Sequence, residues 1–282
     1  MTLLDRLREL FPNAKTQTLK RMIEARRVRV NGMPARTLKQ AIEPTDRIEV
    51  ADRAKEPKAS ATLPFPVIHE DGDVLVIDKP PGLLTSTNER EKRPTALAMV
   101  RGYLAAKSPR ARVGLIHRLD RDASGLLVFS KNPAAFRSLK SQFFEHSVLR
   151  VYHAIVKGVP SPPKGRIESR LVEMPDGKVK STRRADAGER AISAYETIES
   201  LREISLMRVT LETGKKHQIR VHLSERGWAI VNDPLYNPKA SRGRLMLIAT
   251  TLEFDHPRTG KRMRFDLPLP KSFDDELRAL RK

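Results

Sequence analysis

The chain has 282 residues, enough for one substantial core and a small appended module, since domains usually run to about 100–200 residues. Its 54 Lys and Arg against 34 Asp and Glu leave a formal charge of +20, which suits either plain solubility or a polyanionic partner such as nucleic acid or an acidic membrane surface. With no cysteine, a disulfide framework, a thiolate zinc site, an iron–sulfur cluster and a cysteine nucleophile are all excluded.

The opening stretch MTLLDRLRELFPNAK lacks the apolar core and small-residue cleavage site of a signal peptide, and no apolar run in the chain approaches a membrane span, so a cytoplasmic protein is expected. Leu3, Leu4, Leu7 and Leu10 follow helical spacing until Phe11-Pro12-Asn13 breaks it. A second helix is predicted next, capped by Thr16 or Thr18. Its apolar stripe is Leu19, Met22 and Ile23, with Lys20, Arg21, Arg26 and Arg27 gathered about the exposed side. Val28-Arg29-Val30 alternates like a strand, Asn31-Gly32 is a hairpin turn signal, and Ile48-Glu49-Val50 supplies a later strand. This basic helix face is either a solvated surface or an RNA contact. The clustering of cations on one helix, without interleaved acids, favours RNA.

Residues 53–64 mix charge, Ala and Pro without apolar periodicity and read as a linker. The larger domain, 65–282, carries strand-like runs at Val74–Ile77, Leu126–Phe129, Tyr152–Val156 and Ser205–Val209, with helices predicted over Thr95–Ala106 and Pro133–Phe144. The irregular spacing predicts an α+β fold with a mixed, largely antiparallel central sheet flanked by helices. No GxGxxG or Walker-type loop is present, so no nucleotide cofactor is indicated.

Two clusters concentrate ionisable groups. In GLIHRLDRDASG (114–125), Asp120 stands between Arg118 and Arg121. A guanidinium near enough lowers a carboxylate pKa by about 1–3 units and holds it in the ionised form a nucleophile needs, although an ordinary surface ion pair fits the same residues. Gly125 permits a tight turn or the close approach of a ligand. The second cluster, LETGKKHQIRVHLSERG (211–227), reads as a short helix with Ile219 and Leu223 inward, a basic opposite face and Gly227 as terminator. His217 and His222 lack the spacing of HExxH, so no metal site is expected. Lys178, Lys180, Arg183 and Arg184 lie in a turn-rich stretch that serves as a phosphate clamp or as a solvated hairpin tip.

These motifs carry a resemblance. RMIEARRVRVNGMPA with IEPTDRIEV is similar to the small alpha-L RNA-binding domain of a ribosomal small-subunit protein and of several RNA-modifying enzymes, giving a first domain over 1–52. HRLDRDASGLLVFSKN, VYHAIVKG, TGKKHQIRVHLSERGWAIVNDPLY and DKPPGLLT resemble the motifs of the RluA-type RNA pseudouridine synthases, across roughly residues 65 to 270. The resemblance implies isomerisation of uridine in ribosomal or transfer RNA, with no cofactor and no metal. It implies Asp120 as catalytic carboxylate, Tyr152 stacking on the flipped uracil, and Arg220 pairing with Asp120. Arg118 would fill the gap left by the extracted base or act as a second ion partner of Asp120. His117, Arg121, Lys215 and Lys216 join Arg118 as RNA contacts.

Departures from the family pattern are Ala123 for Thr, Asn232 and Asn237 for Gly, and Ile248 for His. They leave the three catalytic positions intact and point to altered loop packing or RNA choice. The rival reading is a non-catalytic RNA-binding or ribosome-assembly factor on the same scaffold. A nuclease is disfavoured by the lack of clustered carboxylates or a His pair. No coiled-coil seam is present, and a monomer is expected.

Overall fold

The computed structural model describes residues 1–24, 27–50, 62–87, 93–108, 111–238 and 243–281. The first two stretches belong to one compact unit and the remainder to a second. In the first, α1 (Leu3–Leu10) starts on a capping box in which Thr2 Oγ1 accepts from Asp5 N–H and the Asp5 carboxylate accepts from Thr2 N–H. In α2 (Thr16–Glu24) Thr16 already lies inside the helix, so neither Thr16 nor Thr18 caps it. Lys15 supplies the first carbonyl, accepting from Thr18 and Leu19 N–H. Leu3, Leu7, Leu19 and Ile23 form the core with Val28 and Val30, each large side chain contributing roughly 1.5–3 kcal/mol. Strand β1 (Val28–Val30) turns at Asn31-Gly32, both at positive φ as the hairpin signal requires, into β2 (Met33–Pro34), while β3 (Ile48–Val50) pairs on its other side. Lys20 and Arg21 are exposed on α2 and Arg27 is half-buried. Arg26 lies outside the described residues, as does the linker segment 53–61.

The second unit is built on one sheet of eleven strands among the described residues. Its spine runs β10 (Val179–Thr182), β9 (Lys164–Glu173), β11 (Glu189–Ser200), β12 (Ile204–Leu211), β8 (Leu149–Lys157), β13 (Leu247–Asp255), β7 (Ser124–Ser130), β5 (Val74–Lys79) and β4 (Val67–Glu70). Two short strands, β6 (Gly114–Leu115) on β7 and β14 (Arg262–Asp266) on β13, complete it. All these pairings are antiparallel except β13 with β7, which makes the expected α+β sheet mixed and largely antiparallel.

Strand alternation divides the apolar residues between two faces. Leu75, Ile77, Leu127 and Phe129 face a core shared with Ala96, Val100 and Leu104 of α3 (Ala96–Lys107), whereas Val74, Val76, Leu126 and Val128 face Leu139 of α4 (Pro133–Phe144). Both helices begin on side-chain caps, Thr95 and Asn132, and Pro133 takes the first helical position of α4. Helix α6 (Lys271–Arg281) packs Phe273 and Leu277 on the larger core, where Phe65 also lies. No helix among the described residues is long and apolar enough to cross a membrane.

Strands β9 and β11 were not evident from apolar alternation because their exposed faces carry ion pairs: Arg190 to Glu168 at 2.6 Å, and Arg166 to Glu168 at 2.7 Å and to Glu212 at 2.9 Å. Buried residues are sparse on β9, where only Ile167 and Leu171 reach the core.

Candidate active site

The segment 116–123 joins β6 to β7 and carries Asp120. Three of its side chains, Ile116, Leu119 and Ala123, are buried anchors. Thr85 Oγ1 donates to Leu119 O at 2.8 Å and accepts from Leu119 N–H at 3.2 Å. Lys79, fully buried at the end of β5, donates to the carbonyls of Pro80 (2.9 Å), Leu83 (2.8 Å) and Arg121 (3.1 Å). Burial pulls its pKa down to about 8 while Asp120 and Asp122 push it up. Three carbonyls so arranged are an ammonium's three acceptors; the Arg121 contact fixes the backbone after Asp120, as Thr85 fixes it before Asp120.

Where β7 begins, Gly125 has φ +108° and crosses β13 so closely that a Cβ would stand 2.2 Å from Ala249 O. The close approach predicted for this glycine is therefore to the protein's own parallel strand. Gly125→Ala is expected to cost roughly 2–5 kcal/mol from backbone strain and overpacking, read as a lowered midpoint in chemical denaturation.

Opposite Asp120 stands α5 (Gln218–Ser224). Its predicted apolar residues are buried, Ile219 at 5% and Leu223 at 1% exposure, but the face expected to be basic and exposed is buried too. Polar partners make this tolerable. Gln218 accepts from Thr213 Oγ1 and donates to Ile192 O and Ser193 Oγ, and the His222 ring lies between Ser193 and Ser169 hydroxyls, both at 3.0 Å. Burial pushes the His222 pKa down to about 4.

Arg220 is 2% exposed. Its Nε and Nη2 donate to the two oxygens of Asp233, each at 2.8 Å, and Nη1 donates to Asp120 Oδ2 at 3.2 Å. Burial opposes the charge, but the Asp233 hydrogen bonds and the Asp120 carboxylate more than compensate, holding the guanidinium above its usual pKa. Asp233 is fully buried and also accepts from Leu235 N–H at 2.9 Å and Tyr236 N–H at 3.0 Å. Burial raises its pKa, the Arg220 hydrogen bonds lower it more, and the net shift is downward. The Tyr236 ring lies under the guanidinium at 5.2 Å, and its hydroxyl meets His217 Nδ1 at 3.1 Å. Asp233 is not among the site residues read from the sequence. Its spacing of 13 residues from Arg220 carries no local signal.

Asp120, its side chain 23% exposed, faces a cavity of about 1220 Å³ that also takes in Tyr152, Arg118, His117, Lys215 and Lys216. Seven Lys or Arg side chains line it against two carboxylates, Asp120 and Glu173, a balance that suits a polyanionic ligand. Tyr152, on β8, is 7% exposed. Burial pushes its phenol up to about 12, and among the described residues its hydroxyl has no hydrogen-bond partner. His117 Nε2 accepts from Val128 N–H at 3.2 Å, and the ring stacks on Phe143 at 4.8 Å. Burial, with help from Arg150, pushes its pKa down to about 3. It is a neutral strut in the cavity wall.

Arg118 is exposed at the cavity mouth, whereas Arg121 turns away from Asp120 and pairs with Asp122 at 2.9 Å. Among the described residues the ion partner of Asp120 is Arg220. Lys215 and Lys216 reach the surface carboxylates of Glu189 and Glu173, pairs of little energetic weight at an exposed surface. Lys178 and Lys180, flanking and within β10, and Arg183 and Arg184 beyond it are exposed, Arg184 being paired with Asp186 at 2.8 Å. Three departures from the family pattern find local explanations: Asn232 holds φ +59°, a conformation asparagine tolerates, while Ala123 and Ile248 fill the apolar core.

Among the described residues no group of three metal-ligating side chains lines this cavity. Among the described residues Asp71, Asp73 and His256 bring ligand atoms within 4.8 Å of one another, but none of them lines it. Arg258 already binds Asp73 through Nε at 2.8 Å and Nη2 at 3.0 Å, and His69 lies 2.7 Å from Asp71.

Comparison with known proteins matches residues 73–225 to a family described as RNA pseudouridylate synthase. The chain is 35% identical to the uncharacterised RNA pseudouridine synthase YlyB of Bacillus subtilis, over 86% of this chain and 82% of that one. It is 33% identical to ribosomal large subunit pseudouridine synthase D of Pseudomonas aeruginosa, over 94% and 87%. Among solved structures it is similar to human RNA pseudouridylate synthase domain containing 4, with a TM-score of 0.61 and 26% identity over 76% of this chain and 92% of that one.

Proposed function

The chain belongs to the RNA pseudouridylate synthase family and isomerises uridine in RNA, and from that premise we propose that Asp120 is its catalytic carboxylate, acting on a uridine of large-subunit ribosomal RNA. The observation that carries the residue assignment is Arg220, which holds Asp120 with one nitrogen while Asp233 fixes the rest of its guanidinium, at a cation-lined cavity that Tyr152 shares. The ribosomal substrate rests on the relatives named for it, such as the Pseudomonas aeruginosa enzyme.

The reaction breaks the bond from the sugar to N1 of uracil, turns the base and joins the sugar to C5. The C5 proton leaves, N1 gains a proton, and no redox partner or energy source enters the balance. An ionised carboxylate serves either by adding to the sugar carbon as N1 departs or by taking a proton from the sugar to give a ribal-type intermediate. The bidentate Asp233 contact fixes the plane of Arg220, and that plane aims Nη1 at Asp120, so the carboxylate is oriented before RNA arrives. Tyr152 offers a ring for the flipped uracil and a hydroxyl that remains protonated at neutral pH. Tyr152→Phe keeps the ring, and it is expected to lower kcat by about 10²–10⁴-fold with little change in KM, as loss of a proton-transfer group does. A rise in KM with kcat unchanged would speak for a binding role only.

Extraction of the target base requires something to occupy its place, and exposed Arg118 at the mouth is assigned that part. The first fifty residues are assigned as an alpha-L RNA-binding module, on the strength of the exposed Lys20 and Arg21 of α2. The enzyme is taken to act in the cytoplasm as a monomer. Pseudouridine mapping of ribosomal and transfer RNA from cells carrying the chain, a deletion, or Asp120→Asn tests the substrate. Loss of one or a few large-subunit sites in both mutants is expected. Loss confined to transfer RNA would move the substrate, and persistence of every site, with purified protein inactive, would leave an RNA-binding factor.

A further inference from the structure

Three cations near the active-site cavity are almost wholly buried, and two of them are fully provided for. Arg220 has two carboxylates and Lys79 has three carbonyls. The third, Arg150, is 6% exposed and has neither. It precedes Tyr152 by two positions on β8, so both side chains emerge on one face of the strand, and both line the cavity. Its Nη2 donates to Glu212 O at 3.1 Å and its guanidinium lies 5.3 Å from the centre of the Phe143 ring. Among the described residues the buried Nε has no hydrogen-bond partner and no carboxylate comes within 4 Å. The neighbouring His117 is neutral, and Lys140 adds positive charge. Burial pulls the pKa of Arg150 below its usual value, as expected of a cation whose counter-charge has not arrived.

Room for this guanidinium is built into the fold. A Cβ on Gly214 would stand 2.4 Å from Arg150 Nη1, so the glycine of Thr213-Gly214-Lys215 leaves the space in which the guanidinium lies. A structural peg would have its donors satisfied, since buried polar groups are almost always paired. A guanidinium with an idle donor beside the residue assigned to stack on the uracil fits an anion brought in with the substrate, and the anion that accompanies every nucleotide is its phosphate.

We propose that Arg150 binds a backbone phosphate adjoining the flipped uridine, placing that nucleotide against Tyr152 and Asp120. This rests on the reading of the cavity as the uridine site. A guanidinium matches the two non-bridging oxygens of a phosphate better than an ammonium does, so Arg150→Lys should retain part of the function and Arg150→Met little of it.

The test uses the full chain and a synthetic RNA fragment bearing the mapped uridine, with either its 5′ or its 3′ phosphate replaced by an uncharged methylphosphonate. Wild-type protein is expected to lose about tenfold in affinity for one of the two replacements. Arg150→Met should show a similar loss on native RNA, no further loss on that methylphosphonate, and a salt slope shallower by about 0.7–1. Additive losses, or unchanged affinity of Arg150→Met for native RNA, would overturn the proposal. Should Arg150→Met fail to fold, wild-type protein indifferent to both methylphosphonates overturns it equally. Failure of the cavity reading itself shows separately, as pseudouridine formed by Asp120→Asn.

Discussion

Asp120→Asn is expected to abolish pseudouridine formation by roughly 10⁴-fold or more, the scale on which enzymes lose turnover when a reacting group is removed, while leaving fold and RNA affinity close to those of the parent. Asparagine has the shape of aspartate, and its amide oxygen can still accept from Arg220 Nη1, so the loop geometry survives. The buried guanidinium also keeps its charge partner, because Asp233 holds it through two hydrogen bonds of 2.8 Å. Stability should change by no more than about 1 kcal/mol, the worth of a single partly exposed contact. Asp122, two residues on, provides the control: it forms a surface pair with Arg121, and Asp122→Asn should turn over RNA at a rate within a few-fold of wild type. Pseudouridine produced by purified Asp120→Asn in a single-turnover assay would remove Asp120 from the mechanism.

Position in sequence exposed some of this site and concealed the rest. Asp120 and Arg220 stand in dense polar runs, HRLDRD and TGKKHQIRVH, where ionisable groups crowd the ends of apolar segments. Lys79 and Arg150 sit in strands, where no local pattern marks a buried cation. Only the sheet shows that Lys79 runs inward to carbonyls at Pro80, Leu83 and Arg121. Helix α5 misled for a related reason. A seven-residue segment with a His, an Arg and a Gln looks amphipathic, yet its polar groups find Ser193, Ser169 and Asp233, supplied by β11, β9 and a loop. Local periodicity reports which residues can be buried cheaply, whereas burial of polar residues depends on partners tens of residues away. The fold followed the same division. The apolar runs of β5, β7, β8 and β12 and the capped helices α3 and α4 were legible, while β9, laced with ion pairs, was not.

Arg220→Met is the second large effect, and it should appear first in stability. The substitution leaves Asp233 fully buried with only the Leu235 and Tyr236 amides to support its charge. Breaking one side of a buried pair costs about 3–5 kcal/mol, so equilibrium denaturation should shift by that amount at neutral pH. The sign with pH follows from Asp233, whose carboxyl is held below its usual pKa of 3.8 against the upward push of burial. The stabilisation is fully present above that usual value and is lost as pH falls through the folded value. The deficit of Arg220→Met should therefore shrink as pH drops below about 4. Replacing both partners, Arg220→Met with Asp233→Leu, removes the unpaired charge and should recover much of the stability, because a buried ion pair is often no better than apolar residues of similar volume. Activity should not return with it. Asp120 would then have no guanidinium to orient it, so the double variant should be folded and inactive, separating the structural from the positioning role of Arg220. A double variant that is both stable and active would reduce the pair to a fold element and leave Asp120 to work unassisted.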